Sequence, residues 1–173
     1  MEQPDLKRFI RDVPDFPKPG ILFKDITPLL KNHHALEKTI AMMAEKYKSE
    51  KIDYVVAVES RGFIFGALLA QKLSAGLVPI RKKGKLPYKT KQVSYDLEYG
   101  KDTLEIHEDA LEPGKKVLIV DDLLATGGTV KAVVELVNGF SVGIVGAAFV
   151  VELKFLNGRD KLKDLPVYSI IQF

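Results

Sequence analysis

Two adjacent carboxylates stand between an apolar run and a turn made of glycine and threonine. Residues 117–120 read Val-Leu-Ile-Val, Asp121 and Asp122 follow, and residues 126–129 read Thr-Gly-Gly-Thr before a helical pattern begins. Glycine lets the backbone bend so that several N–H groups converge on one anion, and threonine hydroxyls add donors. The carboxylates can contact vicinal ribose hydroxyls, or hold Mg²⁺ directly or through water. A phosphate site beside a diol site predicts that this segment binds a ribose 5-phosphate.

A glycine-threonine turn can also join a strand to a helix with no ligand present. Two neighbouring carboxylates repel each other, however, and placing them together is costly unless a cation or a donor compensates their charge. The positive end of the helix over residues 130–138 would point at the same place. The sequence therefore favours a binding site over a purely structural turn.

Two further segments carry charge that suits phosphate groups. Glu59-Ser60-Arg61-Gly62 follows the apolar run 54–58 as a second strand-turn-helix unit, and residues 81–91 place six basic side chains in eleven positions. Considered alone, the first would be a turn with a surface arginine and the second a solvated loop. Arginine nevertheless gives bidentate, permanently charged contacts to phosphate oxygens, and a loop interrupted by glycine and proline can close over a site.

The order of apolar patterns predicts an α/β fold. We expect helices at residues 32–47, capped by Asn32, and at 63–72 and 130–138, with a short helix at 6–11 and a helical piece near Arg159. We expect strands at 54–58, 77–81, 117–121, 141–151 and 167–171, and hairpin strands near 93–98 and 103–106. Residues 1–31 contain five prolines and should form irregular turns. Alternating strands and helices imply a twisted, mostly parallel sheet flanked by helices, whose strand ends at Glu59, Arg81 and Asp121 face one crevice.

Composition limits the possible classes of protein. The 173 residues fit one domain, and 26 basic against 23 acidic residues leave a net charge of +3, which gives weak support for nucleic-acid binding and is compatible with small anionic substrates. The absence of cysteine excludes disulfides, a thiolate nucleophile and a cysteine zinc site. No signal-peptide pattern or long apolar stretch is present, so we expect a soluble cytoplasmic protein. His33, His34 and His107 lack metal-ligand spacing and are interpreted as surface or capping residues.

Five ordered segments resemble the type I phosphoribosyltransferases. The phosphoribosyl pyrophosphate signature of that family is similar to residues 120–129, Val-Asp-Asp-Leu-Leu-Ala-Thr-Gly-Gly-Thr. The resemblance is to the form of the motif found in its adenine-specific members. The resemblance continues in residues 16–29, 59–66, 81–87 and 95–100. It implies the type I phosphoribosyltransferase fold in a single domain over residues 1–173, with a small hood formed by residues 1–31 and a flexible catalytic loop at 82–100.

The resemblance also implies roles for individual residues. Phosphoribosyl pyrophosphate would be bound by Asp121, Asp122, Ala125, Thr126, Gly127, Gly128, Thr129, Ser60, Arg61, Arg81 and Lys85, and Mg²⁺ by Asp121 and Asp122, mainly through water or substrate. Arg61 would meet the leaving diphosphate in a loop of unusual peptide geometry. Arg81 would reach across a homodimer interface to the pyrophosphate.

The adenine contacts follow from the same resemblance. Phe23 would stack on the base with Leu123 on its other side, Leu22 would read the amidine edge through its backbone, and Lys24 stands where some relatives carry arginine. Glu98 would exchange a proton near the imidazole edge of adenine, and Tyr99 would lie in the closing loop. A ring nitrogen that attacks the ribosyl C1 must lose a proton, so a general acid or base at this place is chemically sensible.

The implied reaction is Mg²⁺-dependent transfer of phosphoribosyl from 5-phospho-α-D-ribose 1-diphosphate to adenine, giving AMP and diphosphate. Two alternatives remain open. The chain could be another enzyme of this group, acting on xanthine, hypoxanthine or orotate, although residues 22–23 and 123–125 argue against it. It could instead be a non-catalytic regulator that uses the fold as a ligand sensor, although it has no added nucleic-acid-binding part. No nucleic-acid or membrane partner is expected.

Overall fold

The computed structural model describes residues 5–96 and 101–173. The chain divides into two compact units, Met1–Met42 and Met43–Phe173. Among the described helices, none has both the length and the apolar character that a membrane span requires.

The N-terminal unit contains a two-stranded antiparallel sheet where irregular turns were predicted. A 3-10 turn at Leu6–Phe9 precedes strand β1 (Arg11–Pro14), which pairs with β2 (Leu22–Asp25), and a short helix α1 (Thr27–Lys31) follows β2. The prediction was wrong because it treated the prolines as breakers throughout. One of them is the last residue of β1, where a missing N–H is tolerated, and two lie in the connecting turn.

Helix α2 (His33–Tyr47) confirms the predicted helix and its cap. The Asn32 side chain accepts a 2.9 Å hydrogen bond from the backbone N–H of Ala35, which satisfies one of the free donors at the helix start. Ala35, Ile40 and Met43 are buried on one face of the helix.

A seven-stranded sheet forms the C-terminal unit, with spatial order β5-β6-β4-β3-β7-β8-β9. Its strands are β3 (Tyr54–Val58), β4 (Gly76–Lys82), β5 (Thr90–Asp96), β6 (Lys101–His107), β7 (Lys116–Leu124), β8 (Gly143–Glu152) and β9 (Val167–Gln172). The five strands β4, β3, β7, β8 and β9 are parallel, and β6 and β5 continue the sheet in antiparallel pairing. The mostly parallel sheet of the prediction is confirmed.

Helices cover the sheet where the apolar periodicity predicted them. They are α3 (Gly62–Leu73) and α4 (Gly128–Asn138), and two 3-10 turns, Lys154–Leu156 and Gly158–Leu162, follow β8. The central strands are continuous apolar runs: residues 55–57 and 117–120 have no measurable exposure. Runs of this kind are required of parallel strands that are covered on both faces.

Neighbouring parallel strands bring the predicted site residues to one edge. β3 lies between β4 and β7, so their carboxyl ends meet, and Glu59, Arg81 and Asp121 lie at those ends. Part of the predicted loop 82–100 is a regular strand, because β5 pairs along its length with β6. The function of that loop stays a prediction.

Candidate active site

A cavity of about 500 Å³ opens at the carboxyl ends of β3 and β7. A volume of this size is typical of small-molecule sites. Most of the residues predicted to bind the sugar phosphate and the diphosphate line it together: Ser60, Arg61, Asp121, Asp122, Ala125, Thr126, Gly127, Gly128 and Thr129. The fold therefore brings the two predicted loops to one place from segments more than fifty residues apart in the sequence.

The two carboxylates at the end of β7 are held by one arginine and one backbone amide. Arg61 Nε lies 2.8 Å from Asp122 Oδ2, and the Asp122 side chain is only 7% exposed whereas that of Arg61 is 40% exposed. The backbone N–H of Asp122 donates to Asp121 Oδ1 at 2.8 Å. This arrangement turns the guanidinium of Arg61 toward the cavity that it lines.

Burial and charge repulsion make the ionised form of this acid pair unfavourable unless a cation or a hydrogen-bond donor compensates it. Burial, followed by the charge of Asp122, raises the pKa of Asp121 well above its usual range. Burial also raises the pKa of Asp122, while the Arg61 guanidinium opposes the rise. Two carboxyl groups with raised pKa values are stabilised in their charged form by a cation or by hydroxyl donors. An oxygen-only donor set of this kind fits Mg²⁺ or a ribose diol.

The turn before α4 has the geometry of an anion cradle. Gly127 adopts φ +78° and forms the N-cap of the helix, so the backbone N–H groups of the first helical turn have no intrahelical acceptor. A Cβ on Gly127 would lie 2.3 Å from the carbonyl oxygen of Gly158, so only glycine fits. The Thr129 hydroxyl shares a 3.4 Å hydrogen bond with the Tyr95 hydroxyl.

The loop after β3 lies against the acid pair. Its Glu59–Ser60 peptide bond is cis, in agreement with the unusual geometry that the family resemblance implied. A Cβ on Gly62, the first residue of α3, would lie 2.7 Å from Asp121 Oδ1. Glycine is therefore needed for the loop to approach the carboxylates closely.

The predicted basic residues Arg81 and Lys85 contact Glu59. Arg81 Nε lies 3.4 Å and Lys85 Nζ 3.8 Å from the Glu59 carboxylate, which also accepts a 2.9 Å hydrogen bond from the backbone of Lys82. Burial would raise the pKa of Glu59, but these donors and charges lower it below its usual value. Neither Arg81 nor Lys85 is among the described residues that line the cavity. Their contact with pyrophosphate stays a prediction.

The predicted adenine segment is strand β2 of the N-terminal unit. The Phe23 ring meets the Phe16 ring edge-on at 5.1 Å, and Leu22 is 48% exposed. Lys24 Nζ donates to Asp12 Oδ1 at 2.6 Å, so its ammonium is paired with an acid on the neighbouring strand. Among the predicted adenine contacts, only Leu123 belongs to the C-terminal unit, where it lines the cavity.

Two predicted catalytic residues, Glu98 and Tyr99, lie outside the described residues.

Three polar residues line the cavity although the sequence did not single them out: Lys82, Tyr95 and Asp102. Lys82 and Asp102 form a 3.1 Å ion pair across the β4–β6 ladder. Lys82 belonged to the conspicuous basic run, but nothing in the sequence pairs it with Asp102, because that pairing depends on the strand register.

The histidines differ in part from their predicted surface roles. His33 and His34 are exposed in the first turn of α2, and their nitrogens lie within 4.8 Å of each other and of a Glu37 carboxylate oxygen, a juxtaposition that the spacing did not suggest. His107 is half-buried on β6 beside the Tyr88 ring, and its Nε2 atom is buried. For His107 the predicted surface role was wrong in part, because the residue is half-buried and its ring meets the Tyr88 ring edge-on, with 6.0 Å between the centroids.

Known proteins resemble the chain over almost its whole length. The phosphoribosyl transferase domain family matches residues 26–171. The adenine phosphoribosyltransferase of Acidobacterium capsulatum is 57% identical over 168 residues, which cover 97% of this chain and 93% of that protein. The crystal structure of the Thermoanaerobacter pseudethanolicus adenine phosphoribosyltransferase superposes with a TM-score of 0.94 at 50% identity, covering 97% and 98% of the two chains.

A relative solved with ligands shows the same fold. The Saccharomyces cerevisiae adenine phosphoribosyltransferase, complexed with an imino-altritol 1,6-bisphosphate and adenine, has a TM-score of 0.89 and 43% identity, with 95% of each chain covered. These matches agree with the cavity, in which an acid pair faces an anion cradle. The chain belongs to the adenine phosphoribosyltransferase family of type I phosphoribosyltransferases.

Proposed function

We propose that this protein transfers the phosphoribosyl group of 5-phospho-α-D-ribose 1-diphosphate to adenine, forming AMP and diphosphate in purine salvage. The observation that carries the proposal is one cavity that joins the Asp121–Asp122 pair to the Thr126–Thr129 turn and to Arg61. Diol, 5-phosphate and diphosphate are the three polar parts of the sugar substrate. Each has a chemically matched group in this cavity.

The residues of the chain act by binding and orienting the substrate. We assign the 5-phosphate to the backbone N–H groups and hydroxyls of residues 126–129, and the ribose hydroxyls to Asp121 and Asp122. Binding energy from the remote phosphate can hold the ribose in a reactive geometry. A transition state with a cationic ribose requires no protein nucleophile, and the acid pair supplies negative charge close to the sugar.

The departing diphosphate requires positive charge at the end of the sugar away from the 5-phosphate. We assign the diphosphate to Ser60 and Arg61, with Arg81 and Lys85 as further predicted contacts. Arg61 lines the cavity beside Asp122, and its planar, permanently charged guanidinium is a group suited to phosphate oxygens. The adenine roles of Leu22, Phe23, Lys24 and Leu123, and the proton-transfer roles of Glu98 and Tyr99, are proposed on the family resemblance.

We propose Mg²⁺ as the cofactor, held near Asp121 and Asp122 mainly through water and substrate oxygens. The chemistry that Mg²⁺ would supply there is neutralisation of the negative charge on the diphosphate. The raised pKa values of the two carboxyl groups support this assignment, because a nearby cation would stabilise their charged forms.

We further propose that two copies of the chain associate through an exposed apolar face. Ile64 and Leu68 on α3 and Leu77 on β4 are 39%, 41% and 42% exposed. Ile64 and Leu68 are four residues apart and so lie on the same face of α3. Exposed apolar side chains grouped in this way commonly mark protein interfaces. We expect Leu68→Glu to convert a dimer into a monomer in sedimentation, whereas Lys46→Glu, at an exposed position on α2, should not.

AMP formation from adenine and phosphoribosyl pyrophosphate tests the function directly. We expect turnover that a chelator abolishes and that added Mg²⁺ restores. Hypoxanthine, xanthine and orotate serve as competing bases, and a rate with any of them equal to that with adenine would overturn the assignment of the base. Absence of turnover together with tight binding of RNA or DNA would favour a regulator instead.

Replacing Arg61 with alanine should affect diphosphate more than adenine. We expect the inhibition constant of diphosphate to rise by about 10- to 100-fold, because charge-assisted hydrogen bonds are lost, while the KM for adenine changes little. Product-inhibition kinetics measure both constants. Arg61→Lys keeps the charge but loses the planar fork and should recover only part of the effect. Equal losses for both ligands would contradict the assigned role.

A further inference from the structure

Arg159 forms a bidentate ion pair with a buried glutamate. Its Nε and one terminal nitrogen each lie 2.7 Å from a different oxygen of Glu152, the last residue of β8, whose side chain is 4% exposed. The Ser169 hydroxyl of β9 donates to the same carboxylate. The hydrogen bonds from Arg159 lower the pKa of Glu152 despite its burial. A paired fork of this kind fixes the position of both partners.

Gly158, the residue before Arg159, lies directly behind the turn of residues 126–129, the phosphate turn. A Cβ on Gly158 would be 2.3 Å from the carbonyl oxygen of Ala125 and 3.1 Å from the Leu124 side chain. On the other side of the contact, a Cβ on Gly127 would be 2.3 Å from the Gly158 carbonyl oxygen. The backbone of the turn and the backbone around Gly158 are therefore in contact without intervening side chains.

Hydrogen bonds to the strands of the sheet hold the segments on both sides of this contact. The backbone N–H of Leu153 donates to the Leu124 carbonyl at 2.9 Å, which joins the end of β8 to the end of β7. Arg159 also donates to the Val167 carbonyl at the start of β9, at 3.3 Å. Leu162, four residues beyond Gly158, is buried in the same apolar cluster as Val130 of α4. Without Arg159, the connection from Lys154 to Leu162 would have no side-chain ion pair to the sheet among the described residues.

We infer that Arg159 is a positioning residue for the phosphate turn. Its ion pair with Glu152 holds Gly158 in contact with Ala125 and Gly127. This contact sets the spacing of the N–H groups that bind the 5-phosphate. This inference rests on the proposed function of that turn. Arg159 is not among the residues that line the cavity, so its effect is exerted through the backbone. Displacements of about 1 Å in such a site can change rates by about 10²-fold.

Arg159→Met tests the inference, because it keeps a long side chain and removes the fork. We expect the dissociation constant for ribose 5-phosphate, measured by calorimetry, to rise by about 10-fold or more, with that for diphosphate within about twofold of the wild type. Arg159→Lys should recover only part of the loss. Lys161→Met, which removes the same charge from an exposed position two residues away, is the matched control and should bind ribose 5-phosphate normally.

Gly158→Ala provides a second test, which keeps the side chains of Arg159 and Glu152 and acts on the contact with the turn. We expect it to reproduce the selective loss of ribose 5-phosphate binding, and this variant decides the matter if Arg159→Met does not fold. Equal weakening of both ligands, or unchanged binding in Arg159→Met and Gly158→Ala, would overturn the inference. Failure of the wild-type chain to form AMP would reject the proposed function, whereas normal AMP formation with unaffected variants would reject only the role of Arg159.

Discussion

Replacing Asp122 with asparagine is expected to lower kcat for AMP formation by about 10²- to 10³-fold, the size of effect seen when one preorganised electrostatic contact is removed. Asparagine has nearly the same shape but no charge to orient Arg61 or to hold Mg²⁺ and ribose hydroxyls. Steady-state kinetics over a range of Mg²⁺ concentrations measure the change.

The same substitution should leave the chain folded. The raised pKa of Asp122 shows that its charge is costly where it lies, so a neutral amide relieves a desolvation penalty. The Arg61 side chain is 40% exposed, and water can solvate it once its partner is gone. Asp109→Asn, at an exposed position, is the matched control and should retain full activity. Wild-type kinetics in Asp122→Asn would remove this residue from the mechanism.

Replacing Gly127 with alanine should give the second large effect, a rise of about 100-fold in the KM for phosphoribosyl pyrophosphate. The added methyl group would meet the Gly158 carbonyl at 2.3 Å, and the φ of +78° is unfavourable for alanine. Steric displacement of the turn would move the N–H groups to which we assign the 5-phosphate. We also expect a loss of about 1 to 3 kcal/mol in the free energy of unfolding, measured by denaturant titration.

Gly114→Ala separates backbone strain from the steric clash. Gly114 has the same φ of +78°, but no atom lies within 4 Å of its added Cβ. Its substitution should cost about 1 to 2 kcal/mol of stability and leave the KM unchanged. A KM for Gly127→Ala no different from that of Gly114→Ala would show that the shape of the turn is unimportant for binding.

The central strands and the candidate site at their carboxyl ends could be predicted from the sequence, because both depend on local patterns. An apolar run such as residues 54–58 is compatible with little except a strand covered on both faces, and β3 occupies those residues. Only three residues separate the acid pair from the Thr-Gly-Gly-Thr turn, so their proximity in the cavity requires no knowledge of the fold.

The parts that could not be predicted depend on pairing between distant segments. The strand at Arg11–Pro14 becomes regular only because Val13 pairs with Phe23, and no local pattern specifies that register. The basic run suggested cations that face the substrate, but Arg81 and Lys85 converge on Glu59, which the fold places beside them. No sequence motif marked Arg159, because its proposed positioning role depends on a contact made by Gly158, the residue before it.

The convergence of two cations on Glu59 has a consequence for selectivity. The Glu59 carboxylate offsets one of the two positive charges of Arg81 and Lys85, so an incoming anion competes with it for their attraction. A chloride ion carries no more charge than Glu59 and gains little from the exchange, whereas a polyphosphate brings several charges to the same two side chains. We therefore expect an internal acid of this kind to weaken the attraction of Arg81 and Lys85 for singly charged ions more than their predicted attraction for a polyphosphate.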